Sequence, residues 1–336
     1  MNMKKKEPLY ITGHRHPDTD SIASAIAFAF FKRSMGQPAT PCRLGALNAE
    51  TAYLLDRFGF EPPQLLQDAR MKLSEIAMDP PVSITPETTI YETMQIMQKE
   101  NLAYCGVVDA RNHVLGMVTK SDFSVVGLDD TARSIDILAH TPVENIRKTI
   151  NGSIVYDDPN VTVNGKVSII AMTYPEHLDR YEVEKRIVIV GADTMAQKKC
   201  IQLGAGMLII VWADTVDESV IEEAKKHHCP IIRSGHGTMN TSRYLYFAPS
   251  VERIMKKNPI LFHTNELAED VGVKMLRNRY RAYPVVDQNE QLFGYVSRYH
   301  IMNAPKRRLI LVDHNEFSQS VNAIEKATVL EVIDHH

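Results

Sequence analysis

The chain has 336 residues, enough for roughly two or three domains. Its 38 Lys and Arg against 41 Asp and Glu leave a formal net charge of −3. The basic residues are scattered, with Lys4–Lys6 and Lys306–Arg308 as short runs expected to be solvated. The basic stripe of a nucleic-acid groove or an anionic membrane surface is therefore missing. No apolar run approaches the ~20 residues of a bilayer span. The basic start is followed by too short an apolar stretch for a signal peptide. Cys42, Cys105, Cys200 and Cys229 show no C-x-x-C spacing. A cytoplasmic protein with reduced thiols is expected, without nucleic-acid or membrane partners.

In chain order, the first predicted element is a strand, Leu9-Tyr10-Ile11-Thr12, running into Gly13-His14-Arg15-His16-Pro17-Asp18-Thr19-Asp20-Ser21. His14-x-x-x-Asp18-x-Asp20 puts carboxylates on alternate residues of a tight loop, where they suit two different ions. Ser21 is expected to cap a helix starting at Ile22. That helix is apolar nearly all round, which predicts burial beside a sheet.

Next comes one half of an internal repeat. At an offset of 178, Ile76 meets Ile254, Pro81 meets Pro259 and Met97 meets Met275. Val107-Val108-Asp109 meets Val285-Val286-Asp287, and Gly116-Met-Val-Thr119 meets Gly294-Tyr-Val-Ser297. A fixed offset without gaps means duplication. Each copy reads as a short helix, extended chain, a helix (Ile90–Glu100 or Glu266–Arg277), and two strands joined by a polar turn. The strands are Gly106–Asp109 with Leu115–Thr119, and Pro284–Asp287 with Leu292–Ser297. This βαββα unit resembles a CBS repeat, and two such repeats form a pair.

Between the copies, Ile187–Val190, Leu208–Val211 and Ile231–Ile232 alternate with helical stretches, predicting a small parallel α/β domain. Gly191-Ala-Asp-Thr194 follows a strand but lacks the spacing of a phosphate loop, so a plain strand-to-helix turn is expected. After the second copy, Leu309–Val312 leads into Asp313-His314-Asn315-Glu316. Val329–Ile333 leads into Asp334-His335-His336. Ligands collect beyond the carboxyl ends of strands in open α/β sheets. Three neighbouring strands would thus bring His14, Asp18, Asp20, Asp313 and His335 to one place. Imidazole mixed with carboxylate suits Mn²⁺, Co²⁺ or Zn²⁺, and the oxygen-rich side accepts Mg²⁺.

Gly13–Ser21 resembles the first motif of family II inorganic pyrophosphatases, Asp313–Ser320 resembles the second, and Asp334-His335-His336 is the DHH signature. The insert's place between two CBS repeats resembles the DRTGG domain of certain pyrophosphatases. The fold expected is α/β: a parallel-sheet DHH-type domain, incomplete here, interrupted by a CBS pair and a small α/β insert. The parts are 1–70 and 306–336 for the DHH domain, 71–127 and 249–305 for the CBS repeats, and 128–248 for the insert.

The resemblance implies two ions, Mn²⁺ or Co²⁺, with Mg²⁺ also used. His14 and Asp18 would hold one ion, Asp20 and His335 the other, and Asp313 would bridge them. His336 would contact substrate phosphate, and a bridging hydroxide would split pyrophosphate in line. It also implies regulation by AMP, ADP, ATP or diadenosine polyphosphate at the CBS pair. Thr119, Asp122, Arg281, Tyr283, Ser297 and Arg298 are the candidate nucleotide residues. His300 stands where the ribose-binding Asp would be in the second copy. A homodimer through the CBS modules is expected. In the family a further aspartate ligand and a substrate-clamping domain follow the DHH motif. The chain ending at His336 is accordingly expected to be a fragment that turns over little substrate alone. Two other readings remain: a DHH phosphodiesterase or oligonucleotide exonuclease, and a non-enzymatic adenine-nucleotide sensor.

Overall fold

A computed structural model describes residues 8–124, 126, 131–171 and 175–334. The chain divides into two compact units. One comprises 1–80, 261–289 and 293–336; the other comprises 81–260 with 290–292.

In the first unit, strands β1 (Leu9–Thr12), β2 (Ala39–Arg43), β3 (Gln64–Leu65), β4 (Arg308–Val312) and β5 (Thr328–Ile333) form one parallel sheet in the order β5-β4-β1-β2-β3. Ile11 pairs with Ile310, and both are fully buried. Leu309, Ile310, Leu311 and Val312 are nearly solvent-free, as an apolar run covered on both faces requires. Strand order reverses between β1 and β4, so their carboxyl ends open the crevice in which such sheets bind ligands.

Helix α1 (Thr19–Ser34) lays Ala25 and Ala29 on this sheet with Leu9 and Ile310. Two expectations change here. The helix begins three residues earlier than expected, because the Asp18 carboxylate accepts the Ser21 N–H at 2.9 Å and acts as the N-cap in place of Ser21. Its outer face is also open, with Phe30 69% exposed and Phe31 49%. Only the alanine side fits closely against the strands, and apolar content alone did not reveal that.

A three-stranded sheet, in the same unit except for Leu292, joins Phe262–His263, Tyr283–Val286 and Leu292–Val296. The second unit contains a four-stranded and a five-stranded sheet. In the latter, Val167–Ile170, Ile187–Val190, Met207–Ile210 and Ile231–Arg233 run parallel, and Ser153–Tyr156 closes one edge antiparallel. Apolar clusters cover both faces, giving the α/β insert expected from the alternating pattern. Asp193 caps the helix after Ile187–Val190 by accepting the Ala196 N–H at 2.7 Å, so Gly191–Thr194 is a capped turn. All four cysteines are buried and unpaired in disulfides. Burial pushes Cys42, Cys105 and Cys229 up to about 12 and Cys200 up to about 11, so these thiols stay protonated.

The two repeats exchange their leading segments. Leu73 and Ile76, at the start of the first copy, are buried with Phe262, Val271 and Val285 of the second. Leu73 N–H donates to the Glu266 carbonyl, and Asp79 exchanges two 3.0 Å backbone bonds with Tyr295. Reciprocally, Val251 and Ile254 pack with Ile90, Val107 and Val118 of the first copy. Lys256–Lys257 pairs with Met117 and Gly116. Each copy is thus completed by the other's first segment, which register alone could not reveal. Leu73 has no exposed surface. Leu73→Ala is expected to cost about 2–5 kcal/mol, read as a lower midpoint of the first unit's denaturation.

Candidate metal centre

The loop after β1 is held by its own short side chains. Ser21, fully buried, accepts the His14 N–H on Oγ at 3.0 Å. Gly13 passes so close that a Cβ there would lie 1.7 Å from Ser21 Oγ. Arg15 ties this loop to the one after β4: its N–H donates to the Gln319 carbonyl at 2.7 Å. Its guanidinium donates to the Ser320 carbonyl and to Asn322 Oδ1.

Across the crevice, Asp313 leaves β4 with φ +61°, a left-handed conformation, while its N–H keeps a 2.8 Å bond to the Ile333 carbonyl of β5. This turn aims the carboxylate back at β1. His14 Nε2 lies 3.6 Å from Asp18 Oδ1 and 3.5 Å from Asp313 Oδ2. One ligand atom from each residue falls within 4.8 Å of the others. Asp313 is 7% exposed at its side chain, His14 21% and Asp18 58%, so the group opens to solvent on one side. One imidazole and two carboxylates this close fit a single first-row divalent cation with further positions left open.

Two clefts meet at Asp313. One, about 680 Å³, is bordered by His14, His16, Asp313, Glu316 and Asp334 among others. The other, about 470 Å³, holds Asp20, Ser24, Asp313 and Asp334. Asp20 therefore does not join the His14 triad; it faces the neighbouring cleft across Asp313. Asp334 borders both clefts, and its Oδ2 accepts the Asn315 amide at 2.7 Å. Sequence reasoning gave Asp334 and Asn315 no role, although Asp334 sits at the end of an apolar strand, as Asp313 does. His335 and His336 lie outside the described residues.

His314 is 2% exposed and structural. Its Nδ1 faces the Val312 carbonyl at 3.0 Å and its Nε2 faces Ser320 Oγ at 2.7 Å. A carbonyl only accepts, so Nδ1 carries the proton and Nε2 accepts from the serine. Burial lowers its pKa, which favours this neutral form.

The candidate nucleotide residues divide between the two units. In the first copy, Asp122 Oδ2 accepts both the N–H and the hydroxyl of Thr119 at 2.7 Å, a local cap. In the second copy, His300 Nδ1 takes the equivalent place, 3.0 Å from both the N and the Oγ of Ser297. Arg298 donates to the carbonyls of Met275 (2.8 Å), in the last turn of the helix Ala268–Leu276, and of Asn278 (2.5 Å) just past it. Arg281 is exposed. Tyr283 is 1% exposed within the core of its unit, its ring 5.2 Å from Phe262 and its hydroxyl without a partner among the described residues. Tyr283 offers a nucleotide no open face in this unit, because the strand turns it inward.

Comparison with known proteins agrees with these features. The CBS domain family matches residues 73–126 and 251–307, and the DRTGG domain family matches 145–246. A cobalt-dependent inorganic pyrophosphatase of Clostridium perfringens is 36% identical over 334 residues, covering 98% of this chain and 61% of that protein. A probable manganese-dependent inorganic pyrophosphatase of Thermotoga maritima is 29% identical over 337 residues, covering 99% and 61%. The chain thus spans about 61% of the length of these relatives. The crystal structure of the CBS and DRTGG domains of the regulatory region of Clostridium perfringens pyrophosphatase, complexed with its activator diadenosine tetraphosphate, superposes with a TM-score of 0.61 at 30% identity. The match covers 68% of this chain and all of that one. By these matches the chain contains two CBS domains with a DRTGG domain between them, the domain set of the regulatory region of that pyrophosphatase.

Proposed function

We propose that this chain provides the metal-binding half-site and the nucleotide-responsive region of a pyrophosphate hydrolase. The observation that carries this reading is the convergence of His14, Asp18 and Asp313 from two loops about 300 residues apart. His14, Asp18 and Asp313 would hold one Mn²⁺ or Co²⁺. Asp20 and His335 would hold a second beside the shared Asp313, with His336 toward the substrate. Such ions, when bound, neutralise polyphosphate charge and acidify water. The chain's own residues supply position: Ser21 fixes the His14 backbone, and Arg15 keeps the β1 and β4 loops in register.

The region with the CBS and DRTGG domains would bind adenine nucleotides or a diadenosine polyphosphate, with Thr119, Asp122, Arg281, Ser297 and Arg298 as its polar contacts. A ligand acts on hydrolysis only by binding one arrangement of this region better than another. A homodimer is part of the same proposal.

The test is a Co²⁺ titration followed by visible absorption, with pyrophosphate and a short oligonucleotide then offered to the gene's entire translated product. Saturable Co²⁺ spectra that His14→Ala weakens at least about tenfold, with phosphate released from pyrophosphate and not from the oligonucleotide, are expected. Absence of saturable Co²⁺ binding would sink the metal assignment. Oligonucleotide cleavage in its place would point to the phosphodiesterase reading.

A further inference from the structure

Arg15 also borders a separate cleft. This one, about 730 Å³, lies wholly within the first unit, at the β3 edge where the chain leaves the sheet for the first repeat. Arg15, Arg70, Lys72 and Arg307 border it, against Asp68 and Glu75.

The carboxylates do not use up the cations. Asp68 and Asp270 neutralise Arg70, at 2.8 and 2.9 Å. Arg15 spends its donors on neutral acceptors, Ser320 O and Asn322 Oδ1, and keeps its charge. Lys72 is exposed and makes no ion pair among the described residues.

Arg307 is the most telling. It is 4% exposed, and its guanidinium carbon sits 4.5 Å from the centre of the Tyr10 ring. Nη2 donates to the Glu75 carboxylate at 2.8 and 3.0 Å and to the Arg70 carbonyl at 3.3 Å. Its Nε and Nη1 are buried and have no partner among the described residues. A charged donor removed from water without an acceptor is disfavoured, and native structures seldom leave one so.

We propose that this cleft is an oxyanion site of the phosphate class. A lining of three guanidinium groups and one ammonium suits a tetrahedral anion with four acceptor oxygens better than a planar carboxylate. The excess positive charge favours a dianion over a monoanion. None of these residues belongs to the His14 triad, so the site does not depend on pyrophosphate hydrolysis. Its neighbour through Arg15 is nevertheless the loop that carries His14. The anion is either free phosphate or the phosphate tail of a nucleotide.

Calorimetric titration of the metal-stripped chain with inorganic phosphate, and separately with ATP, tests this against Lys72→Glu. The altered side chain is exposed, so folding is preserved, which circular dichroism verifies. Saturable phosphate binding that the substitution weakens by about tenfold or more is expected. If ATP weakens in parallel, the natural anion is a nucleotide's phosphate tail; if phosphate alone weakens, it is the free ion. No saturable binding up to about 20 mM phosphate, or equal affinity in parent and variant, would overturn the proposal.

Discussion

Asp313→Asn is expected to lower Co²⁺ or Mn²⁺ affinity by about 100-fold or more while leaving the fold intact. The backbone at this position is left-handed, with φ +61°. Asn is among the few residues that adopt this conformation readily, so the turn and its bond to Ile333 survive. What changes is a largely buried carboxylate 3.5 Å from His14, replaced by a neutral amide. Both clefts lose one of the two carboxylates they share, Asp334 being the other. In the entire gene product, pyrophosphate turnover should fall by about a thousandfold, because positioning and charge neutralisation supply most of phosphoryl-transfer catalysis. Metal titration and steady-state phosphate release check both parts. Unchanged metal affinity would remove Asp313 from the centre.

Gly13→Ala should damage the same centre through shape alone. The added methyl would meet Ser21 Oγ at 1.7 Å and Ser21 Cβ at 2.9 Å, so either the loop or the first turn of α1 must move. Overpacking of this kind costs about 1–3 kcal/mol. The larger effect is expected in metal affinity, because a displacement of about 1 Å is enough to disable a preorganised site. Adding Ser21→Ala removes the 1.7 Å contact and should restore part of the affinity, and Ser21→Gly, which removes both clashing atoms, should restore more. If Gly13→Ala binds metal as tightly as the parent, the close packing of this loop is irrelevant to the site.

Much of this was legible in the chain. The sheet strands are short apolar runs, and a buried parallel sheet leaves that pattern whatever surrounds it. Three of the runs end in Asp or His, which placed the crevice before any coordinates. Capping was less legible. Asp18 and Ser21 are both good N-caps, and the choice fell to Asp18 because the Ser21 hydroxyl is taken by His14. Exposure of α1 was hidden because alanine and phenylalanine count alike in an apolar pattern, while only alanine permits close approach to the strands. Tyr283 is among the candidate nucleotide residues, but a strand side chain points inward or outward by register, and here it points inward. The unpartnered edge of Arg307 left no trace in the sequence, since it arises from Tyr10 and Glu75, which are far from it in the chain.

The traded opening segments of the repeats set an order of events during synthesis. The second unit is almost one uninterrupted stretch, 81–260, and has nearly everything it needs once Ile260 has emerged from the ribosome. The first unit does not. Leu73 must wait for Glu266, about 190 positions later, and Leu9 must wait for Arg308 to supply the neighbouring strand. Closing spans of that length is slow compared with local folding. His14 and Asp313 therefore meet only after the stretch 81–260 has been made and has had time to fold.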